Sequence, residues 1–344
     1  MNRTFYVVKG KQARHEYYVG MVPLEALTGL FLGTEEEIYA QRPLNKDRIP
    51  EICNYVIKNR DEYVFSALAV SIKGELQYEP IDESASVGVL RAAEGAVFII
   101  SDGQHRKEAI IKALEKDETL RHESIPIVFF PDRGPEHQRQ MFVDLNKNAV
   151  KASNSCAGNF DSRDQLSELT RVVMTKIEFF NKYTDTDRDI LGKYSSKLFT
   201  FNSLKKANTR LVARHDIHEE DYSFAIAFWQ GVVENMKQWK ELEEHQITKK
   251  ELRESFITTQ GIVLQAFGIV GNYFLNNPID DYKSRMKTLG NINWLRNAPQ
   301  WEGRARDSKG KILTNNTAIK RIAAYIKKEM GLELTSYEVE IERS

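Results

Sequence analysis

Apolar and polar positions alternate differently in the two halves of the chain. In the N-terminal half, short apolar runs follow amphipathic segments, and Val97–Ser101 and Ile125–Phe130 have the composition of buried strands. Lys46–Asn59 and Lys107–Lys116 repeat apolar residues at helical spacing and predict helices. The pattern also predicts strands at Thr4–Val8, Tyr17–Val22 and Tyr63–Ile72, and helices at Pro23–Phe31 and Glu136–Asn146. This alternation is typical of an α/β or α+β domain.

After Asp161 the helical period dominates. Helices are predicted at Leu166–Phe180, Ser203–Ala213, Tyr222–Glu244, Lys249–Leu275, Asp280–Leu289 and Asn315–Met330, and a hairpin around Ser308–Gly310. We therefore expect an α+β protein with an N-terminal α/β domain at residues 1–160. A mostly helical domain with a basic surface is expected at residues 161–344.

Composition narrows the class of protein. The chain is of ordinary globular composition, with 41% hydrophobic and 28% charged residues. Its apolar runs are shorter than the roughly 18 residues that a membrane helix needs, and its N-terminus has no signal-peptide core, so we expect a cytoplasmic protein without a membrane partner. Cys53 and Cys156 are far apart in the chain, and we do not expect a disulfide between them in the cytoplasm.

The charge is balanced overall but uneven along the chain. The net charge is zero, yet Ile190–His215 holds six Lys or Arg and no acid, and Lys283–Lys328 holds twelve against two acids. Such a local surplus is typical of a surface that binds a phosphate backbone. Alternatively, the acidic run Glu241–Glu244 balances it on a solvated face.

The sequence Asp102-Gly103-Gln104-His105-Arg106 lies between a predicted strand and a predicted helix. A helix N-terminus offers unpaired N–H groups and the positive end of the helix dipole, which attract anions. Gly103 allows close approach of a ligand, and Arg106 has a planar fork suited to phosphate. His105 can donate a hydrogen bond or transfer a proton, and Asp102 can hold magnesium or cap the helix. In the alternative interpretation, the helix is capped and Arg106 and His105 satisfy a neighbouring acid.

Several segments resemble those of a known family. Asp102–Arg106 spells DGQHR, the motif that names the DGQHR-motif proteins. Gln41–Pro50, Tyr63–Leu68 and Met141–Asn146 also resemble segments of these proteins. Their order and spacing are most similar to the DndB family of DNA phosphorothioation systems. The resemblance implies a repressor that binds the promoter of the modification genes.

A wider similarity is to the ParB/sulfiredoxin superfamily, in which an element matching Gly103–Arg106 holds nucleotide phosphates. This resemblance implies a ParB/sulfiredoxin-like N-terminal domain that binds ATP or a related nucleotide with magnesium. Gln104 stands where sulfiredoxin has its reactive cysteine, so thiol chemistry is not expected. Asn146 either faces this ligand beside Arg106 or caps its own helix.

Three functions follow as hypotheses. The first is a DNA-binding regulator whose affinity for double-stranded DNA is tuned by a nucleotide at the DGQHR motif. The second is a nucleotide-hydrolysing enzyme that nicks DNA or senses its modification, with Asp102 and His105 as catalytic residues. The third is a non-catalytic subunit of the modification complex. We expect a homo-oligomer and partner proteins from the modification system. The sequence has no zinc-binding spacing of Cys and His, so we expect no structural metal, and it has no P-loop motif, which argues against a P-loop motor.

The predicted DNA contacts lie in the C-terminal half. They are Arg296, Arg304, Arg306, Lys309, Lys311, Lys205 and Lys206. Trp301, which lies among these arginines, is a candidate for stacking on nucleic acid or for contact with its backbone. Asp161–Asp164 is predicted to cap the following helix, with Arg163 either in its first turn or reaching a phosphate.

Overall fold

The computed structural model describes residues 3–31, 45–81, 83–147, 152–214 and 216–343. The chain forms two compact units, Met1–Val150 and Lys151–Ser344. The Gln41–Leu44 part of the predicted signature lies outside the described residues, as does the side chain of Asn146.

The N-terminal unit is a mixed sheet with helices. Its elements are β1 (Arg3–Gln12), β2 (His15–Pro23), α1 (Leu27–Leu30), α2 (Arg48–Lys58), β3 (Leu68–Lys73), β4 (Leu76–Pro80), β5 (Val87–Ala92), β6 (Val97–Asp102), α3 (Gln104–Lys116), β7 (Ser124–Pro131) and α4 (Pro135–Lys147). Among the described residues the sheet has seven strands in the order β4-β5-β1-β2-β7-β3-β6. Only the β3–β7 pairing is parallel in this sheet as described.

The core of this unit lies between the sheet and helices α2 and α3. The apolar stripe of α2, with Ile49, Cys53 and Val56, is buried there together with Ala109 and Ile110 of α3. The helical period of Lys46–Asn59 and Lys107–Lys116 therefore predicted the correct buried faces. Strands β4 and β5 were missed by the sequence analysis.

The C-terminal unit is largely helical. Its elements are α5 (Asn154–Phe160), α6 (Gln165–Lys176), α7 (Glu178–Tyr183), β8 (Thr184–Asp185), β9 (Phe199–Thr200), α8 (Phe201–Val212), α9 (Glu219–Asn235), α10 (Lys237–Glu243), α11 (Lys249–Ser255), α12 (Gly261–Asn276), α13 (Tyr282–Met286), α14 (Asn316–Glu329) and α15 (Ser336–Arg343). Mixed α+β architecture with a helical second half is thus confirmed.

Three predicted long helices are each broken into two. Ile177 separates α6 from α7, and Met236 separates α9 from α10; both are extended and buried. The segment Phe256–Gln260 similarly divides α11 from α12. An apolar residue at such a break keeps the helical period intact in the sequence, so the period alone does not reveal the change of direction.

Helix α8 is held in a fixed orientation within this unit. On its buried side, Asn208 Nδ2 donates to Thr170 Oγ1 (3.0 Å), and Trp229 Nε1 donates to Asn208 Oδ1 (2.8 Å). Helix α12 approaches closely at Gly268, where a Cβ atom would lie 2.2 Å from the carbonyl oxygen of Ala207. These contacts determine which face of α8 remains in solvent.

Candidate functional site

The DGQHR motif occupies the turn between a strand and a helix. Strand β6 ends at Asp102 and α3 begins at Gln104, so the predicted junction is confirmed, although the helix starts before Lys107. Gly103 has φ +104°, and a Cβ atom there would lie 2.3 Å from Leu68 Cδ2. Both the backbone conformation and the lack of space require glycine at this position.

The guanidinium of Arg106 joins the motif to the segment that precedes β3. Its NH1 group donates to the carbonyl oxygens of Ser66 (2.6 Å) and Ala67 (2.9 Å) and to Ser66 Oγ (2.6 Å). Its NH2 group donates to Asp102 Oδ2 (2.5 Å). The Arg106 side chain is 17% exposed, so it reaches solvent while it organises the turn.

These hydrogen bonds explain why the strand predicted at Tyr63–Ile72 is shorter in the structure. Strand β3 begins only at Leu68. The carbonyl groups of Ser66 and Ala67 accept from Arg106 instead of from a neighbouring strand, and the Val64 N–H donates to the Tyr55 hydroxyl (3.0 Å). The β-rich composition of this segment therefore reflects its packing rather than a sheet ladder.

His105 links the motif to a second segment. Its Nε2 accepts a hydrogen bond from the backbone N–H of Asn45 (3.1 Å). Asn45 belongs to Gln41–Pro50 and Ser66 to Tyr63–Leu68, two of the segments that were singled out from the sequence together with the motif. The fold brings all three together at one end of β6 and α3.

The first turn of α3 can accept an anion in chemical terms. No side chain caps this helix, and its N-cap position is occupied by Gly103. The first-turn N–H groups and the NH2 edge of Arg106 form a set of donors suited to phosphate oxygens. Asp102 has Arg106 as its partner, and the described residues contain no cluster of three or more His, Cys, Asp or Glu that could hold a metal ion.

Two other predicted positions lie elsewhere in the chain. Asn146 is in the last turn of α4, where its backbone is helical. Asp164 caps α6, since its side chain accepts from the N–H of Leu166 (3.2 Å), which confirms the predicted cap. Burial raises the pKa of Asp164, but hydrogen bonds from Lys205 and Ser167 outweigh it and hold the pKa below its ordinary value.

The arginines predicted to contact DNA have internal partners. Arg304 forms a bidentate ion pair with Glu342 (Nε–Oε1 2.8 Å, NH2–Oε2 2.9 Å) and donates to the carbonyl of Gln300. Arg306 pairs with Glu302 (3.2 Å) and is only 12% exposed. Both guanidiniums are paired with acids, but these acids are not in the predicted run Glu241–Glu244.

The prediction that Trp301 stacks on nucleic acid is wrong. Its ring is fully buried, stacked on Trp294 at a centroid distance of 5.2 Å, and its Nε1 donates to the carbonyl of Asn293 (2.8 Å). Arg296 is half-buried. An aromatic residue flanked by arginines has the same sequence pattern whether it lies in the core or on a surface, and here the core holds it.

The predicted lysines differ from these arginines. Lys309 and Lys311 are exposed beside the turn of the predicted hairpin, whose arms meet in an antiparallel bridge between Arg306 and Ile312. Lys205 is paired with Asp164, whereas its neighbour Lys206 is exposed.

Sequence reasoning missed a cleft on the C-terminal unit. We call it the α8 cleft; it has a volume of about 910 Å³, and its basic lining residues are Lys206, Arg210, Arg214 and Lys320. Lys206 and Arg210 are four residues apart on α8, and Arg214 follows just beyond its end; this spacing is the signal that could have revealed a basic side. Lys320 comes from α14 and could not be placed beside them from the sequence.

Comparison with known families supports the resemblance given by the three segments that meet at the motif. The model of the DndB family, described as DNA-sulfur modification-associated, matches residues 5–333. The chain belongs to the DndB family. The match extends over both units, so DndB membership links the whole protein, and not the motif alone, to DNA sulfur modification.

No curated protein and no solved structure matches this chain. Within the part of the chain that the structure describes, no helix is both long and apolar enough to cross a bilayer.

Proposed function

We propose that this DndB-family protein is a DNA-binding regulator of a bacterial DNA phosphorothioation system that represses the modification genes. The observation that carries the proposal is the family match over residues 5–333, which ties the chain to DNA sulfur modification. The regulatory role rests on the resemblance of its motifs to those of DndB repressors. Cations on the C-terminal unit supply chemistry that suits a phosphate backbone.

We further propose that the DGQHR turn belongs to a ParB/sulfiredoxin-like domain and binds the phosphates of ATP or a related nucleotide. Two features support this: the glycine at the N-cap, which leaves the first turn of α3 without a capping side chain, and the partly exposed side chain of Arg106. Magnesium would accompany the nucleotide, and Asp102 is the carboxylate of the motif that could hold it. Because Arg106 and His105 bond to Ser66 and Asn45, a ligand here would reposition both segments.

The DNA-binding proposal is tested by titrating the purified protein with the promoter duplex of the modification genes and with a random duplex of equal length. Each titration is done with and without ATP and magnesium. We expect tighter binding to the promoter, with an affinity that changes when the nucleotide is added. Equal affinity for both duplexes would contradict a promoter-specific repressor, and no binding would contradict the DNA-binding function.

The nucleotide proposal is tested by calorimetry with ATP and magnesium. Arg106→Ala removes the guanidinium, and we expect it to weaken nucleotide binding by about 1.5–3 kcal/mol, the range for charge-assisted hydrogen bonds. It should also destabilise the unliganded protein, because four hydrogen bonds to Ser66, Ala67 and Asp102 are lost.

Ser66→Ala is the matched control, since it weakens the same internal contact but keeps the guanidinium. We expect this variant to retain nucleotide affinity. If the wild-type protein binds no nucleotide, Arg106 serves only to hold the turn together.

A further inference from the structure

The α8 cleft carries a positive charge that the fold does not neutralise. Among the residues that the structure describes, Lys206, Arg210 and Lys320 form no ion pair. Arg210 donates to the neutral Asn316 Oδ1 (2.8 Å), and Lys320 Nζ lies 4.6 Å from the centre of the Tyr337 ring. Both contacts orient a cation without removing its charge.

The acids near the cleft have partners of their own. Glu338 lines the cleft but accepts from Lys327 Nζ (2.6 Å) and from the backbone N–H of Thr335 (2.8 Å). Asp221 is fully buried and paired with Arg214. The cleft therefore keeps a net positive charge from its three cations that lack an ion pair.

Two of these cations lie one helical turn apart on α8. Lys206 and Arg210 are separated by about 6 Å along the helix axis, and Arg214 follows two residues beyond the end of α8. Lys206 is exposed on the side away from the buried Asn208, whereas Arg210 is half-buried and its Cβ lies beside Gly268 of α12. Two cations at this separation can contact neighbouring phosphates of a nucleic-acid backbone.

A second cleft continues the first toward the start of α12. It has a volume of about 340 Å³ and shares Lys206 and Gln265 with the α8 cleft. Its lining includes Ser203, Gly261 and the carboxylate of Asp189, and α12 begins at Gly261 without a capping side chain. Asp189 accepts four hydrogen bonds from Asn154 and Ser155 and forms no ion pair among the described residues, so the unneutralised positive charge lies in the α8 cleft itself.

We propose that the α8 cleft binds the phosphodiester backbone of DNA and is the main electrostatic contact surface of the C-terminal unit. The proposal rests on the DNA-binding function above and assigns a surface to it. It moves this contact away from Arg304 and Arg306, whose charges are paired with Glu342 and Glu302.

The test compares two double variants with the same change of charge. Lys206→Gln with Lys320→Gln removes two cations from the cleft, and Lys309→Gln with Lys311→Gln removes two exposed lysines near the hairpin turn. Duplex affinity is measured by fluorescence anisotropy between about 50 and 200 mM salt. Thermal melting, together with the single variants Lys206→Gln and Lys320→Gln, separates loss of binding from loss of folding.

We expect the cleft variant to reduce the slope of log affinity against log salt by about 1.8, or about 0.9 for each lost contact. Its affinity should fall on the order of tenfold or more on promoter and random duplexes alike. The hairpin variant should keep the wild-type slope. A cleft variant with the wild-type slope, while the wild-type protein binds DNA, would overturn this assignment and leave the proposed function intact. Failure of the wild-type protein to bind any duplex would overturn both.

Discussion

The two arginines of the loop from Pro299 to Ile312 and the cations of the α8 cleft differ in what they bind. In the loop, Arg304 and Arg306 are bound to acids and carbonyl groups of the protein itself. In the cleft, Lys206 and Lys320 form no ion pair among the described residues. The difference shows that charge counted along a sequence does not by itself indicate charge available to a ligand.

Backbone structure explains the difference. The loop is irregular, so many of its carbonyl groups lack a helix or sheet partner, and a guanidinium with five N–H donors can satisfy several of them. Arg306 donates to the carbonyls of Asp307 and Asn297 in this way. Helix α8 satisfies its own backbone, so its cations are not needed for this purpose.

The largest expected effect concerns the acid that lines the cleft. Glu338→Gln leaves Lys327, which is only 4% exposed, without its anionic partner. We expect a loss of about 3 kcal/mol in the free energy of unfolding, because one charge of a buried pair becomes uncompensated. Urea denaturation at neutral pH measures it. Glu340→Gln, on the exposed side of α15, is the control and should change stability little.

The same pair predicts a pH dependence. Burial raises the pKa of Glu338, but the hydrogen bonds from Lys327 and Thr335 outweigh it and hold the pKa below its ordinary value. A depressed pKa stabilises the fold above the ordinary carboxyl pKa, and this contribution disappears as the pH falls through the folded value. The stability difference between wild type and Glu338→Gln should therefore shrink toward acid pH. A difference independent of pH would contradict this pairing.

The next effect concerns the loop itself. Replacing Arg304 and Arg306 together by Gln should lower the free energy of unfolding by about 2 kcal/mol, because charged hydrogen bonds to partly buried partners are lost. The salt slope for DNA binding should stay at its wild-type value. If the slope of log affinity against log salt became smaller in a stably folded variant, the loop arginines would be DNA contacts after all.

The smallest effect sharpens the comparison to two adjacent residues. Lys205 is paired with Asp164 and Lys206 is exposed without an ion pair. Lys205→Gln should cost up to about 1 kcal/mol of stability and leave the salt slope unchanged. Lys206→Gln should leave stability unchanged and lower the slope by about 0.9. Chemical denaturation of both variants measures the change in stability, and anisotropy titrations at several salt concentrations measure the change in slope.

The DGQHR turn was predictable from the sequence because its signals are local. An apolar run, a glycine and a helical period follow one another, and they define a strand, a turn and a helix without knowledge of the rest of the fold. The partners of Arg106 were not predictable, since Ser66 is 40 residues away in the chain. The sequence left phosphate binding and internal bonding open, and the structure describes the internal bonds.

The C-terminal unit shows the limits of sequence patterns more clearly. Arg304 and Glu342 are 38 residues apart, and the pair forms only because α15 lies beside the loop. Trp301 and the arginines around it have the composition of a nucleic-acid contact, but the ring is buried on Trp294. Lys320 lines the same cleft as Lys206 and Arg210 only through the packing of α14 against α12, which no local period encodes.

The most direct test of the account is lysine footprinting of the wild-type protein. Acetylation rates at each lysine are measured by mass spectrometry with and without the promoter duplex at low salt. We predict that the duplex protects Lys206 and Lys320 and leaves Lys309 and Lys311 reactive. Protection of Lys309 and Lys311 with no change at Lys206 and Lys320 would contradict the assignment of the α8 cleft as the DNA surface.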